Sequence, residues 1–356
     1  MKIEKLKLHN FRNYSDLSFS FDKGINVLYG KNGQGKTNII EALYFFCNGR
    51  SYRVSKDFET VKEGEKKAEL CLFFEAEKRE MCAEIKIEKS KMIKINGVPV
   101  KKLSELVGVL KAVLFTPDYM ELIKDGPSKR RTFLDGFISQ IYPVYFKNLA
   151  AYYKILKQKN ASLKKRNVSD EMIDVWNESL AAYGSVICRY RSEMIEKINP
   201  YAKKYQGEMS KNEEILSLLY NPSVKEKFYD RDYFYKVLTQ SKEREKEAGF
   251  SLIGPSRDDF DFKINGRNMK VYASQGQMRT AVLSLILSQC ELINDIFGEY
   301  PVLLLDDILS ELDEERRKYM LSEIKNKQVI LTCTDREEFK ESRARFFEIK
   351  RQRKIL

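Results

Sequence analysis

The chain has 356 residues, 43% hydrophobic and 33% charged, with a formal charge of +12 and a single histidine. This length and balance describe one large or two moderate globular domains and exclude a disordered or fibrous chain. The lone His9 excludes Ser-His-Asp triads and multi-histidine metal sites. The basic excess is either a solvated lysine-rich surface or a preference for polyanions, nucleic acid before acidic membranes.

Cys47, Cys71, Cys82, Cys188, Cys290 and Cys333 contain no CxxC spacing and sit mostly among apolar neighbours. Buried, reduced thiols in a reducing compartment are expected, and a zinc site is not. Residues 1–17 alternate charged and apolar positions without a signal-peptide core. The longest apolar stretches, such as 280–287, fall short of a membrane span, so a cytoplasmic protein is expected.

In chain order, residues 1 to about 115 read mainly as strands. Ile3, Leu6 and Leu8 open one run, and Leu17, Phe19 and Phe21 follow with period two. An apolar strand from Ile25 to Tyr29 leads into Gly30-Lys31-Asn32-Gly33-Gln34-Gly35-Lys36-Thr37, with helical spacing from Asn38 to Phe46. Further strands are expected at 68–76, 81–88 and 92–95, the last turning through Asn96-Gly97, a hairpin signal.

From about 120 to 248 the chain becomes charged and helical, with Pro143, Pro200 and Pro222 as breaks. Met172, Trp176, Leu180, Tyr183, Ile187, Tyr190, Met194 and Ile198 predict a core-facing stripe on a helix capped by Ser169 and ending near Pro200. Residues 250–356 return to alternating strands and helices. The expected division is 1–118, an inserted helical segment at 119–248, and 249–356.

The chemistry starts at residues 30–37, a complete GxxxxGKT between strand and helix. Its glycines let backbone N–H groups cradle phosphates at a helix N-terminus. The spacing therefore predicts a nucleoside triphosphate, ATP with Mg²⁺. Gly30 through Asn38 form the binding loop, Lys36 reaches the β- and γ-phosphates, and Thr37 ligates the metal. A second apolar strand, 301–305, runs into Asp306 and Asp307. Asp306 fits the carboxylate that holds the Mg²⁺ shell, and Asp307 fits a general base that orients water.

Ser274-Gln275-Gly276-Gln277 precedes an apolar helix at 278–297, and taken alone it could be an ordinary helix cap. In this order with the loop and the carboxylates, it resembles the signature motif of ATP-binding-cassette ATPases. Ser310-Glu311-Leu312-Asp313 resembles their D-loop. The resemblance sharpens to the RecF family of bacterial recombination mediators. Phe11-Arg12-Asn13-Tyr14 ahead of the phosphate loop carries it, with Phe115-Thr116-Pro117-Asp118 and residues 126–135. Gly254-Pro255-Ser256-Arg257-Asp258-Asp259, the signature segment and residues 305–313 complete it. The match spans nearly the whole chain, with little of it in the helical middle.

That resemblance implies an α/β fold, an ABC-type P-loop ATPase head of mixed sheets with flanking helices, plus an inserted, mainly helical second domain. It implies a homodimer formed on ATP binding, in which Ser274, Gly276 and Gln277 of one subunit close on the nucleotide held by its partner. It further implies slow ATP hydrolysis with Lys36 and Asp307 catalytic. DNA at gaps and single-/double-strand junctions, RecR and RecO, and functionally RecA would be the partners. Four positions depart from the wider ATPase pattern or the family's own. Asp307 stands where the wider class has Glu, and Thr334 stands in place of a switch histidine. Asp118 is the candidate for a Q-loop residue, and Ser256 replaces a histidine. Lys129-Arg130-Arg131, Lys164-Lys165-Arg166 and the 343–354 tail are candidate DNA-facing clusters, although a solvated face is the commoner role of any one such cluster taken singly. Other ABC classes, transporter or SMC-like, remain the alternative. The insert argues against a transporter, and its prolines and shortness argue against long coiled-coil arms.

Overall fold

The run at the N-terminus forms the strand Lys2–Phe11, and a bulge between Ile3 and Lys5 puts Ile3 on the same buried face as Leu6 and Leu8. A computed structural model describes residues 1–165, 168–307, 312–336 and 344–350. Lys2–Phe11 pairs with Tyr14–Ser20 on one side and Ala68–Ala76 on the other, and the antiparallel sheet continues through Arg79–Ile87, Lys91–Ile95 and Val98–Val100. Asn96 and Gly97 turn that last hairpin with φ of 50° and 78°, the left-handed pair that its tight turn requires.

A second sheet is wholly parallel, in the order Ala344–Glu348, Ile25–Tyr29, Val329–Cys333, Val302–Leu305, Ala112–Phe115. Its central strands read as continuous apolar runs because both of their faces are covered. The helix Lys36–Asn48 packs on strands of both sheets. Ile39, Leu43, Phe46, Leu70, Leu72, Leu114, Leu304 and Ile330 belong to one buried cluster around it. Each such side chain contributes about 1.5–3 kcal/mol by burial.

These elements form one compact unit, Met1–Tyr119 with Leu285–Leu356; the other unit is Met120–Ser284. The second unit therefore runs past residue 248, where the helical segment was expected to end. Asp259–Ile264 pairs in full register with Leu216–Asn221, which ties the chain after 248 to the segment before it. Pro127–Ile141 and Asp170–Met209 pack on this small sheet, and Pro143–Lys164, Arg231–Gln240 and Lys242–Ala248 pack on helices of the same unit.

Two helical expectations need correction. The long helix does not end near Pro200 but continues to Met209 with the proline inside it. Proline removes a backbone donor there, but Asn199 exchanges two hydrogen bonds, 2.9 and 2.7 Å, with the backbone of Leu218, anchoring the helix at that point. The expected stripe holds in part: Leu180, Ile187, Met194 and Ile198 are buried as read, Trp176, Tyr183 and Tyr190 are half-buried, and Met172 is exposed, its place at the start of the buried face taken by Ile173. Pro143, by contrast, opens a helix at its first position, where its missing N–H costs nothing.

Among the described residues one helix, Gln275–Phe297, is long and apolar enough to cross a membrane, contrary to the reading of short apolar stretches; 72% of its apolar window is buried inside the protein, as in a core helix. All six cysteines are free thiols.

Candidate functional site

The phosphate-loop pattern lies where its sequence context requires. Ile25–Tyr29 ends at Gly30, and the loop closes on Gly35, which immediately precedes the helix Lys36–Asn48. Gly30, Gly33 and Gly35 have φ of 145°, 76° and 110°, a region L side chains avoid. At Gly35 a Cβ would stand 2.6–2.7 Å from the Asn13 amide and the Tyr14 hydroxyl, so only glycine fits the cradle.

Residues of the 11–14 segment brace this loop. Asn13 Nδ2 donates to the Gln34 carbonyl at 3.0 Å, Tyr14 Oη donates to the Gly35 carbonyl at 3.1 Å, and Asn38 Nδ2 donates to Asn13 Oδ1 at 2.8 Å. Arg12 forms a two-point pair with buried Glu41, which also takes Arg53 at 3.3 Å; Arg53 donates to Asn38 Oδ1 at 2.7 Å. Lys36 is nearly buried, and its ammonium donates to the carbonyls of Gly30 and Lys31 and, at 3.5 Å, to Asn32 Oδ1. It therefore spans the loop from the inside.

Thr37 and Asp306 are 269 positions apart and meet at 2.9 Å, Thr37 Oγ1 donating to Asp306 Oδ1. The parallel sheet brings them together, with Val329–Cys333 lying between the loop strand and the strand that ends before Asp306. That middle strand supplies Thr332. Its hydroxyl donates to Asp306 Oδ1 and accepts the Asp307 N–H, both at 2.8 Å. Tyr52 Oη stands 3.5 Å from Asp306 Oδ2. Burial holds the Asp306 carboxyl above the usual range, while the hydrogen bonds from Thr332 and Thr37 pull it down. Asp307 has φ of +51°, an uncommon backbone conformation for a residue with a side chain. A hydroxyl and a carboxylate this close are hard oxygen donors, the set that fits Mg²⁺.

The signature segment lies in the second unit. Ser274 N donates to Gln277 Oε1 at 2.8 Å and Gln277 N donates to Ser274 Oγ at 3.2 Å, a reciprocal capping box at the start of Gln275–Phe297. Gln277 Nε2 then donates to Glu214 Oε1 at 2.9 Å, whose other oxygen accepts from buried Gln206. Gly276 lies in the helix's first turn. Ser310 and Glu311 of the D-loop pattern fall outside the described residues. Asp313 caps the helix Glu314–Glu323.

Other expected residues have structural work. Arg130 is buried, bonded at two points to Asp259 and to the carbonyls of Leu122 and Asp125, and Arg131 donates to the Asp258 carbonyl. Lys129 pairs with Glu121 and Asp125. Of this candidate DNA-facing cluster, Arg130 is thus neither a solvated nor a phosphate-facing charge, and Lys129 and Arg131 have partners within the protein. Arg166 and residues 351–354 with Arg343 lie outside the described set. Asp118 is exposed on the 3₁₀ turn Pro117–Met120, and Thr334 is exposed just after Val329–Cys333. Sequence reading missed Thr332, Tyr52 and Arg53. Thr332 carries one available signal, a polar residue inside the buried run 329–333.

Residues 2–356 match the family described as the RecF/RecN/SMC N-terminal domain. The chain is 40% identical over 347 residues to the DNA replication and repair protein RecF of Clostridium tetani, covering 96% of this chain and 95% of the relative. The RecF of Acetivibrio thermocellus is 41% identical over 351 residues, with 95% of each covered. A solved structure described as the recombination mediator protein RecF-ATP in the RecFOR pathway superposes with a TM-score of 0.89 at 35% identity, covering 98% of this chain and 95% of that one. An Smc head bound to the C-terminal winged-helix domain of ScpA shares the fold alone, with a TM-score of 0.55 at 17% identity over 94% of this chain and 90% of that one.

Proposed function

The chain belongs to the RecF family, within the wider RecF/RecN/SMC N-terminal-domain family, and from that premise we propose that it is an ATP-dependent DNA clamp of recombinational repair. The observation that carries this reading is the meeting of Thr37 and Asp306 at the mouth of a loop that only glycine can line. Gly30 through Asn38 bind the triphosphate, with Lys36 leaving the loop carbonyls for the β- and γ-phosphates. Thr37 and Asp306 hold Mg²⁺, which neutralises phosphate charge when bound.

Asp307 orients the attacking water. As the shorter of the two acids, it reaches less far than Glu, and turnover is slow. Ser274, Gly276 and Gln277 complete the site from a second copy of the chain. The capping box suits this role, because the Ser274 oxygen accepts from its own helix and its proton remains to be donated. The helix N-terminus adds favourable potential toward a terminal phosphate. ATP then joins two subunits around gapped or junction DNA in the cytoplasm, RecR and RecO engage the clamp, and RecA loads on the adjoining single strand.

The test is ATPase rate and mass in solution, with and without gapped DNA, for wild type and Lys36→Arg. ATP-dependent dimers and DNA-stimulated turnover in wild type, both lost in Lys36→Arg, are expected. Wild-type protein that binds no nucleotide would sink the reading, and turnover indifferent to DNA would move it toward another ABC class.

A further inference from the structure

Thr332 is 2% exposed and its hydroxyl has one proton and two lone pairs. The proton goes to Asp306 Oδ1, and a lone pair takes the Asp307 N–H, each at 2.8 Å. We propose that Thr332 is a positioning residue that sets both carboxylates at once, fixing the rotation of Asp306 for a divalent cation and the backbone conformation from which Asp307 acts. The proposal rests on the reading of Thr37 and Asp306 as the cation-holding pair.

The geometry supports it from two sides. Asp306 Oδ1 receives two hydroxyl protons, from Thr37 in the first turn of the helix Lys36–Asn48 and from Thr332 on the strand Val329–Cys333. Two fixed donors on one oxygen hold the carboxylate plane, and Oδ2, whose contact with Tyr52 Oη is at the 3.5 Å limit of hydrogen bonding, is the oxygen that would be offered to a cation. On the other side, Asp307 is held at φ +51°, and its amide is tied to the same hydroxyl. Strain of this kind persists only where neighbours over-determine it. Thr332 can reach both residues because its strand is inserted between the loop strand and the strand of the two acids. A residue that orients a metal ligand without touching the metal typically changes affinity by ten- to a hundred-fold when removed.

The experiment uses the full chain with Thr332→Val, which keeps shape and removes the hydroxyl, and Thr332→Ser, which keeps the hydroxyl. A fluorescent ATP analogue is titrated with Mg²⁺ and with EDTA, and the Mg²⁺ concentration for half-maximal ATPase is measured alongside. For Val, we expect metal-free affinity within about twofold of wild type and the half-saturating Mg²⁺ raised about tenfold. Ser should bring the half-saturating Mg²⁺ back to within about twofold of wild type. If Val does not fold, Thr332→Cys, with its weak S–H donor, should fall between wild type and full loss of the Mg²⁺ effect. A Val variant with the wild-type Mg²⁺ response, or a Ser variant as impaired as Val, would overturn this inference alone. Wild-type protein that bound no nucleotide would overturn the site reading and this inference with it.

Discussion

Asn13 donates its side-chain amide to the carbonyl of Gln34 at 3.0 Å, so the turn after the first strand holds the phosphate loop open from outside. Gly35 sits directly beneath that contact, with φ of 110° and no room for a Cβ. Gly35→Ala should therefore force the loop off Asn13 and Tyr14 and cost about 1–3 kcal/mol in strain. Nucleotide affinity should fall at least tenfold. Asn13→Ala removes only the brace and should weaken binding about three- to tenfold, the equivalent of one hydrogen bond. Fluorescent-nucleotide titration with a thermal melt on each variant checks both, and an unimpaired Gly35→Ala would contradict the cradle.

Ser274 caps its own helix and, in the reading above, also contacts the partner's nucleotide, and the two roles can be separated. Ser274→Ala should lower stability by about 1 kcal/mol through loss of the cap. Ser274→Asp restores a good cap and suits the helix dipole, yet places a carboxylate against a phosphate. The expected result is a melting temperature at or above wild type for Asp, together with no ATP-dependent dimer in sedimentation. Dimers formed normally by Ser274→Asp would leave the segment as a cap and nothing more.

The parts of this site that sequence reveals are those whose partners are near neighbours in the chain. The loop 30–37 and the pair Asp306-Asp307 each sit at the end of an apolar strand, and period and spacing find them. Thr332 could not be found that way. Its importance depends on which strand lies between which, and a parallel sheet order of 344–348, 25–29, 329–333, 302–305, 112–115 is not written in local pattern. The same reason explains the helix that passes Pro200. Local chemistry predicts a break, and two hydrogen bonds from Asn199 to a strand residue override it. Arg130 reads as part of a basic cluster because its acidic partner, Asp259, is 129 positions away in the chain.

Arg130 offers a direct test of that correction. Its side chain is 7% exposed and bonded at two points to Asp259. Removing one partner of a buried pair strands the other charge, at a cost of about 3–5 kcal/mol. Arg130→Glu should show this loss in urea unfolding, accompanied by weaker DNA binding only in proportion to the unfolded fraction. At temperatures where the variant is folded, its salt slope for DNA should match wild type. A reduced slope in the folded variant would return Arg130 to the DNA surface.

The thiols give a prediction with a defined pH sense. Cys47, Cys188, Cys290 and Cys333 are buried; Cys71 and Cys82, half-buried on neighbouring strands, have their sulfurs 3.8 Å apart. Burial, with Cys82 adding to it, pushes the Cys71 thiol up to about 12. Only the thiolate reacts, so at pH 8 this group is almost wholly in the unreactive form. Alkylation of Cys71 should be slow there and accelerate about tenfold for each unit of pH until near that value. Native protein should therefore show no more than two modifiable thiols of the six, and all six after denaturation. Intact-mass kinetics from pH 7 to 10 on wild type and Cys82→Ser measure this. In the variant the neighbouring thiol is gone, so Cys71 should titrate lower and react faster at pH 8. A Cys82→Ser protein in which Cys71 reacts no faster would mean that burial alone sets that thiol.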